Sequence, residues 1–138
     1  MRAVLDVNVI VSGLLSPRGA PARVLTAWLE GGYDLVVSPV LVGELERALG
    51  YPKLPKRVSE EEAQELLDLL RREADLREDP PGPPPVRSPD PGDDYVVTLA
   101  AETQSVIVSG DRHLLDLRDA LPVYTPADFL SLVEKSSS

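Results

Sequence analysis

Asp6 interrupts an apolar, β-branched run from Ala3 to Val11. An isolated buried charge is costly unless it is paired, hydrogen-bonded or bound to a metal, so Asp6 needs partners. Three other acids answer to that need. Asp111 follows the apolar run "SVIVS". Glu44 falls inside the apolar arc that Val40, Leu41, Leu45, Ala48 and Leu49 trace at helical spacing, whereas Glu46 falls outside it. Asp93, one turn before Val96 and Val97, lies over the inward arc of "GDDYVVTLAA", with Asp94 nearer its margin and Asp90 also within the acidic cluster. Like charges raise one another's pKa, so four gathered carboxylates cannot all stay ionised without cations. Hard divalent cations with oxygen ligands suit them. A chain with no cysteine and one histidine favours Mg²⁺ or Mn²⁺ over zinc. Cations held this way make a bound water nucleophilic and stabilise charge that develops on a reacting oxygen. The competing account makes Asp93 and Asp111 helix caps and pairs Glu44 with an arginine such as Arg23.

The elements that must position these acids alternate along the chain. Residues 2–11 read as a buried strand, followed by a helix through "PARVLTAWLEGG". A second strand, "YDLVVSP", leads to Ser38 and Pro39, an N-cap and first-turn proline for a helix ending at Gly50. Ser59 and Glu62 form a capping box that opens a helix through Leu76. The stretch "DPPGPPPVRSPDPGDD" holds seven of the fourteen prolines and reads as a stiff, extended connector. After it come a helix ("YVVTLAAETQ"), a strand ("SVIVSGD"), a short helix ("RHLLDLRD"), a strand ("LPVYTP") and a closing helix ("ADFLSLVEK"). This rhythm predicts an α/β fold, three layers α/β/α around a central parallel sheet. Residues 1–134 read as one domain and 135–138 as a frayed tail. In an open sheet of this kind, sites form beyond the carboxyl ends of the strands, which is where Asp6 and Asp111 fall.

Composition bounds the partners. The chain has 138 residues, a size suited to one domain with a sizeable core, and a net charge of -9. That charge argues against a passive nucleic-acid coat, which binds through Lys and Arg, but suits an enzyme whose carboxylates hold cations. No apolar run reaches the ~20 residues of a membrane span, and no signal-peptide pattern opens the chain. A cytoplasmic protein without membrane contact is expected. Arginine outnumbers lysine eleven to three, and there are one Asn and two Gln, a balance leaning towards a thermophile.

Taken together, "VLDVNVIVSGLLSP", "VVSPVLVGELERAL" and "DPGDDYVVTLAAETQSVIVSGDRHLL" resemble the PIN-domain nucleases, in particular the subgroup assigned to toxin components of prokaryotic toxin–antitoxin pairs. The resemblance covers nearly the whole chain. It implies a Mg²⁺- or Mn²⁺-dependent ribonuclease acting on single-stranded RNA. Its acidic site would match Asp6, Glu44, Asp93 and Asp111, with Asp94 or Asp90 as a substitute for Asp93, and with Asn8, Ser12 and Ser109 as polar groups beside it. It further implies an antitoxin partner and a homodimer. Substrate would be met by the basic segment "RALGYPKLPKRV", through Arg47, Lys53, Lys56 and Arg57 with Tyr51 as a stacking ring, the alternative being a solvated basic loop between helices, and by Arg112. His113 could touch the scissile phosphate or be structural. Trp28 and Tyr33 are interface candidates, although Trp28 lies on an apolar helix face.

Two enzyme rivals fit poorly. A haloacid dehalogenase-like site expects a second Asp where this chain has Asn8, and a receiver domain expects an acidic pair after the first strand. The rival from another class is a binding module of the same fold with little catalytic turnover.

Overall fold

The computed structural model describes residues 1–50 and 58–137. Five parallel strands form one sheet in the order β3-β2-β1-β4-β5: β1 Arg2–Leu5, β2 Asp34–Val37, β3 Asp75–Leu76, β4 Val106–Val108 and β5 Val123–Tyr124. The register sets Ala3 against both Leu35 and Val106, and Leu5 against Val108. Helices α1 Val7–Leu15, α2 Ala20–Leu29, α3 Pro39–Leu49, α4 Glu60–Glu73, α5 Asp94–Thr103, α6 Arg112–Leu115 and α7 Pro126–Ser137 complete the expected three layers. Strands buried on both faces are uniformly apolar, as a parallel sheet requires: Ala3, Val4 and Leu5 are buried, as are Leu35 to Val37.

The first element departs from expectation. Residues 2–11 do not form one strand. The strand stops at Leu5 and the chain turns into α1 at Val7, with Asp6 as the joint. The Asp6 amide donates to the Val108 carbonyl at 2.9 Å, and the Asp6 carbonyl accepts from the Val9 amide at 2.9 Å. One residue thus ends the ladder and begins the helix. The β-branched residues that favoured a strand go instead into a helical interface, with Val7, Val9, Ile10 and Gly13 buried. Gly13 lets α2 approach closely, since a Cβ there would meet Leu25 Cδ1 at 2.7 Å and the Pro21 carbonyl oxygen at 3.2 Å.

Other elements follow the reading more closely. Ser38 Oγ accepts from the Leu41 amide and caps α3, whose first residue is Pro39. The helix read through Leu76 ends at Glu73, because Ala74 turns extended and Asp75–Leu76 pair with β2. Lys135 to Ser137, expected as a tail, continue α7. The proline-rich stretch from Asp79 to Asp90 has no helix or strand. Trp28 and Tyr33 are both buried, so neither is an exposed interface residue. The Tyr33 hydroxyl donates to the Val24 carbonyl, and its ring packs edge-on against Phe129. No helix among the described residues is long and apolar enough to cross a membrane.

Candidate metal centre

Pairing of β1 with β4 brings the residues that follow both strands to one rim. Asp6 is only 4% exposed, and Ser109 is fully buried beside it. Ser109 Oγ donates to Asp6 Oδ2 at 2.9 Å and accepts from the Asp111 amide at 2.9 Å. One hydroxyl therefore ties two of the expected acids together. Asp111 also caps α6, accepting from the His113 amide at 2.8 Å. Capping and a place on the acidic rim are compatible.

The other wall comes from the end of the proline-rich segment. Asp90 Oδ1 accepts from the Gly92 amide at 2.9 Å and starts a 3₁₀ turn, Pro91–Asp93, that runs into α5. Asp94 is turned to that segment, accepting from the Ser88 amide at 3.1 Å and pairing with Arg87 at 3.5 Å. Asp93 instead lines a cavity of about 360 Å³ together with Asp6, Asn8, Glu44, Arg47 and Asp90. Adjacent carboxylates with the same local sequence thus have separate duties. Glu44 reaches the cavity from α3, 40% exposed and paired with Arg47 at 2.9 Å rather than with Arg23.

The charges in this cavity oppose one another. Burial raises the Asp6 pKa, and the Asp111 charge adds to it. The Ser109 hydroxyl and the amides of Asn8 and Val7 hold it down in part. Asp93 is pushed up to about 6, chiefly by burial and then by the charges of Asp6, Asp111 and Asp90, with His113 opposing. The Tyr95 phenol is raised by burial and by the surrounding charges of Asp6, Glu44, Asp93 and Asp79.

A divalent cation fits this donor set. Asp93 Oδ2 is buried without a hydrogen-bond partner among the described residues, a state that costs free energy unless something absent here satisfies it. One ligand atom each from Asp90, Asp93 and His113 lie within 4.8 Å of one another. Carboxylate oxygens suit hard divalent cations, and an imidazole nitrogen adds a donor of the kind transition metals take.

The remaining candidates are dispersed. Asn8 is exposed on the cavity wall, while Ser12, one turn along α1, faces an adjoining cavity. Arg112 is exposed at the start of α6. Tyr51, Lys53, Lys56 and Arg57 lie outside the described residues. Arg47, read with the basic segment that follows the Glu44 helix, lines this cavity one helical turn from Glu44, whereas sequence reasoning passed over Tyr95, two residues from Asp93.

A family model described as PIN domain matches residues 2–113. An uncharacterised protein of Methanocaldococcus jannaschii is 27% identical over 153 residues, covering 98% of this chain and 93% of its own length. Among solved structures, VapBC2 from Rickettsia felis, bound to a DNA fragment from their promoter, has a similar fold. Its TM-score is 0.60 at 13% identity over 91% of this chain and 98% of that chain. FitAB bound to a DNA fragment is also similar in fold, with a TM-score of 0.55 at 18% identity over 90% of this chain and 94% of that chain.

Proposed function

The chain belongs to the PIN-domain family, whose members are typically nucleases, and from that premise we propose that it is a Mg²⁺- or Mn²⁺-dependent endoribonuclease acting on single-stranded RNA. The observation that carries this reading is Asp93 Oδ2, buried and unpartnered on a cavity shared with Asp6 and Glu44. Asp6, Asp93 and Asp111 would hold the cation, with Glu44 as a further ligand or as the base that takes a proton from the attacking water. When bound, a cation of this kind lowers the pKa of water and stabilises charge on the phosphoryl oxygens.

The chain's own residues do the positioning. Ser109 fixes the Asp6 carboxylate and the backbone at Asp111 through two hydrogen bonds. Arg47 is the cation that lines the acidic cavity among the described residues, so it is the group placed to meet a phosphate there. Its partner Glu44 would then be released towards the reacting water. Asn8 offers an amide on the same wall.

A role as the toxin of a toxin–antitoxin pair, held by an antitoxin and working as a homodimer in the cytoplasm, extends the reading. It is supported by the resemblance of the sequence motifs and by likeness in fold to VapBC2 and FitAB. The deciding experiment titrates Mn²⁺ calorimetrically into the wild-type chain and Asp6→Asn, with a single-stranded RNA cleavage assay on the same samples. Binding and cleavage that collapse together in the variant are the expected result. RNA association without cleavage in the wild type would leave a binding module.

A further inference from the structure

The acidic cavity has a neighbour of different character. Beyond Asn8, a second cavity of about 280 Å³ opens between Asn8, Val9 and Ser12 of α1, Pro21 of α2, Gly110 and Pro126 of α7. Asn8 lines both cavities, and Asp111 forms part of the second. The first is lined by four acids and an arginine. The second carries one acid among prolines, a valine and a glycine, plus an amide and a hydroxyl. Asn8 and Ser12 stand one turn apart on the same face of α1. Both are exposed, and neither side chain makes a hydrogen bond among the described residues.

The prolines decide what this space would accept. A helix start ordinarily presents free N–H groups, which suit a phosphate. Here the first turn of α2 contains Pro21 and α7 begins at Pro126. Each proline lacks an N–H and presents an apolar ring instead. Apolar walls suit the flat face of a nucleobase, while an amide and a hydroxyl suit its hydrogen-bonding edge. The volume falls just below the ~300–1,000 Å³ of sites for drug-sized ligands, so it matches one base rather than a run of nucleotides.

We propose that this second cavity is a nucleobase subsite, taking the unstacked base next to the phosphodiester held at the acidic cavity. The proposal rests on the nuclease reading for the position of that phosphodiester. Its consequence is a preference for single strands, because a base in a duplex cannot leave its stack without cost.

The test is an amide NMR titration of the wild-type chain, in Mg²⁺, with adenylate, deoxyadenylate and ribose phosphate. Both nucleotides should move the amides of Ser12 and Gly110, and ribose phosphate should not, whereas Asn8, which lines both cavities, should respond to all three. The stronger of the two names the sugar. Gly110→Val supplies the control, since a Cβ at Gly110 meets nothing within 4 Å and its φ is not in the left-handed region. That variant should weaken adenylate at least about fivefold and leave Mn²⁺ affinity unchanged. Equal shifts at Ser12 and Gly110 with ribose phosphate, or no shift there with either nucleotide, would overturn the subsite. Shifts there that follow protein concentration alone would give the cavity to a second copy of the chain and overturn it as well. Failure of the nuclease reading looks different, as absent Mn²⁺ binding together with absent RNA cleavage.

Discussion

The two walls of the acidic cavity are held by different means. On the sheet side stands Asp6, held by Ser109, which also binds the Asp111 amide beside the neighbouring cavity, and the bond from Ser109 to Asp6 joins residues 103 apart in the chain. Asp90, Asp93 and Asp94 sit at the end of the proline-rich segment, where their side-chain bonds span only two to seven residues: Asp90 to Gly92, Asp94 to Ser88 and Arg87. The sheet wall is fixed by the ladder that folds the whole domain. The segment wall is fixed by caps that would form locally. Yet the segment wall supplies a buried oxygen without a partner, Asp93 Oδ2, one of two such side-chain atoms among the described residues together with Asp79 Oδ1. Rigidity is thus concentrated on one side of the cavity and unsatisfied charge on the other, an arrangement in which one wall sets the position and the other responds to what binds.

The largest expected effect tests that division directly. Asp6→Asn should lower Mn²⁺ affinity by about 100-fold or more, at the upper end of what even the partners of metal ligands cost when lost. It should not lower Tm, because the neutral amide removes a charge that burial disfavours. Asp93→Asn should cost less affinity than Asp6→Asn in the same titration. A larger loss at Asp93 would make the segment wall the anchor and reverse the comparison.

Ser109→Ala comes next. It removes the donor to Asp6 and leaves the Asp111 amide without its acceptor. Cation affinity should fall by about 10-fold, and stability by about 1–2 kcal/mol in urea unfolding. Asp94→Ala should act on the opposite wall and more weakly. It frees the Ser88 amide at a cost of about 1 kcal/mol, with a loss of Mn²⁺ affinity smaller than that of Ser109→Ala. An Asp94→Ala variant that matched Ser109→Ala in the calorimeter would show the segment to be as stringent a scaffold as the sheet.

The same contrast explains what could be read in advance. Parallel strands, the Ser38–Pro39 start of α3 and the inward position of Asp93, which lines the cavity where Asp94 does not, were legible because each follows from a local pattern, an apolar run, a cap or a helical wheel. The break at Asp6 was not. Val7, Val9, Ile10 and Val11 have strong β propensity, and only their burial against neighbouring helices makes the helix preferable. The short β3 escaped for a similar reason: two residues become a strand only because β2 lies beside them. The Ser109 link between Asp6 and Asp111 is a consequence of register, and no local pattern announces it. Glu44 was read on an inward arc with Arg23 as the partner only in the competing account, and neither reading noted Arg47, one turn away, with which it pairs.

The smallest expected effect concerns the unsatisfied wall in the absence of cation. Asp93 is raised from 3.8 to about 6 in the folded chain. For an acid so shifted, the folded state binds its proton more tightly than the unfolded state does. Its contribution to stability is therefore fully present below about pH 3.8 and is lost as pH rises through about 6. The metal-free chain should accordingly lose Tm between about pH 4 and 6, by roughly 3 °C once solvent screening of a partly exposed group is allowed for. Asp93→Asn should reduce that decline and leave the part that comes from Asp6, whose pKa burial also raises. Mn²⁺ should cancel it, since a cation favours the ionised carboxylates and stabilises the state that binds it. Asp94→Ala keeps the Asp93 charge and should retain most of the slope. A wild-type Tm that rises over this interval without cation would mean that Asp93 is already satisfied in the folded chain, and the division between a rigid wall and a responsive one would fail at the residue that defines it.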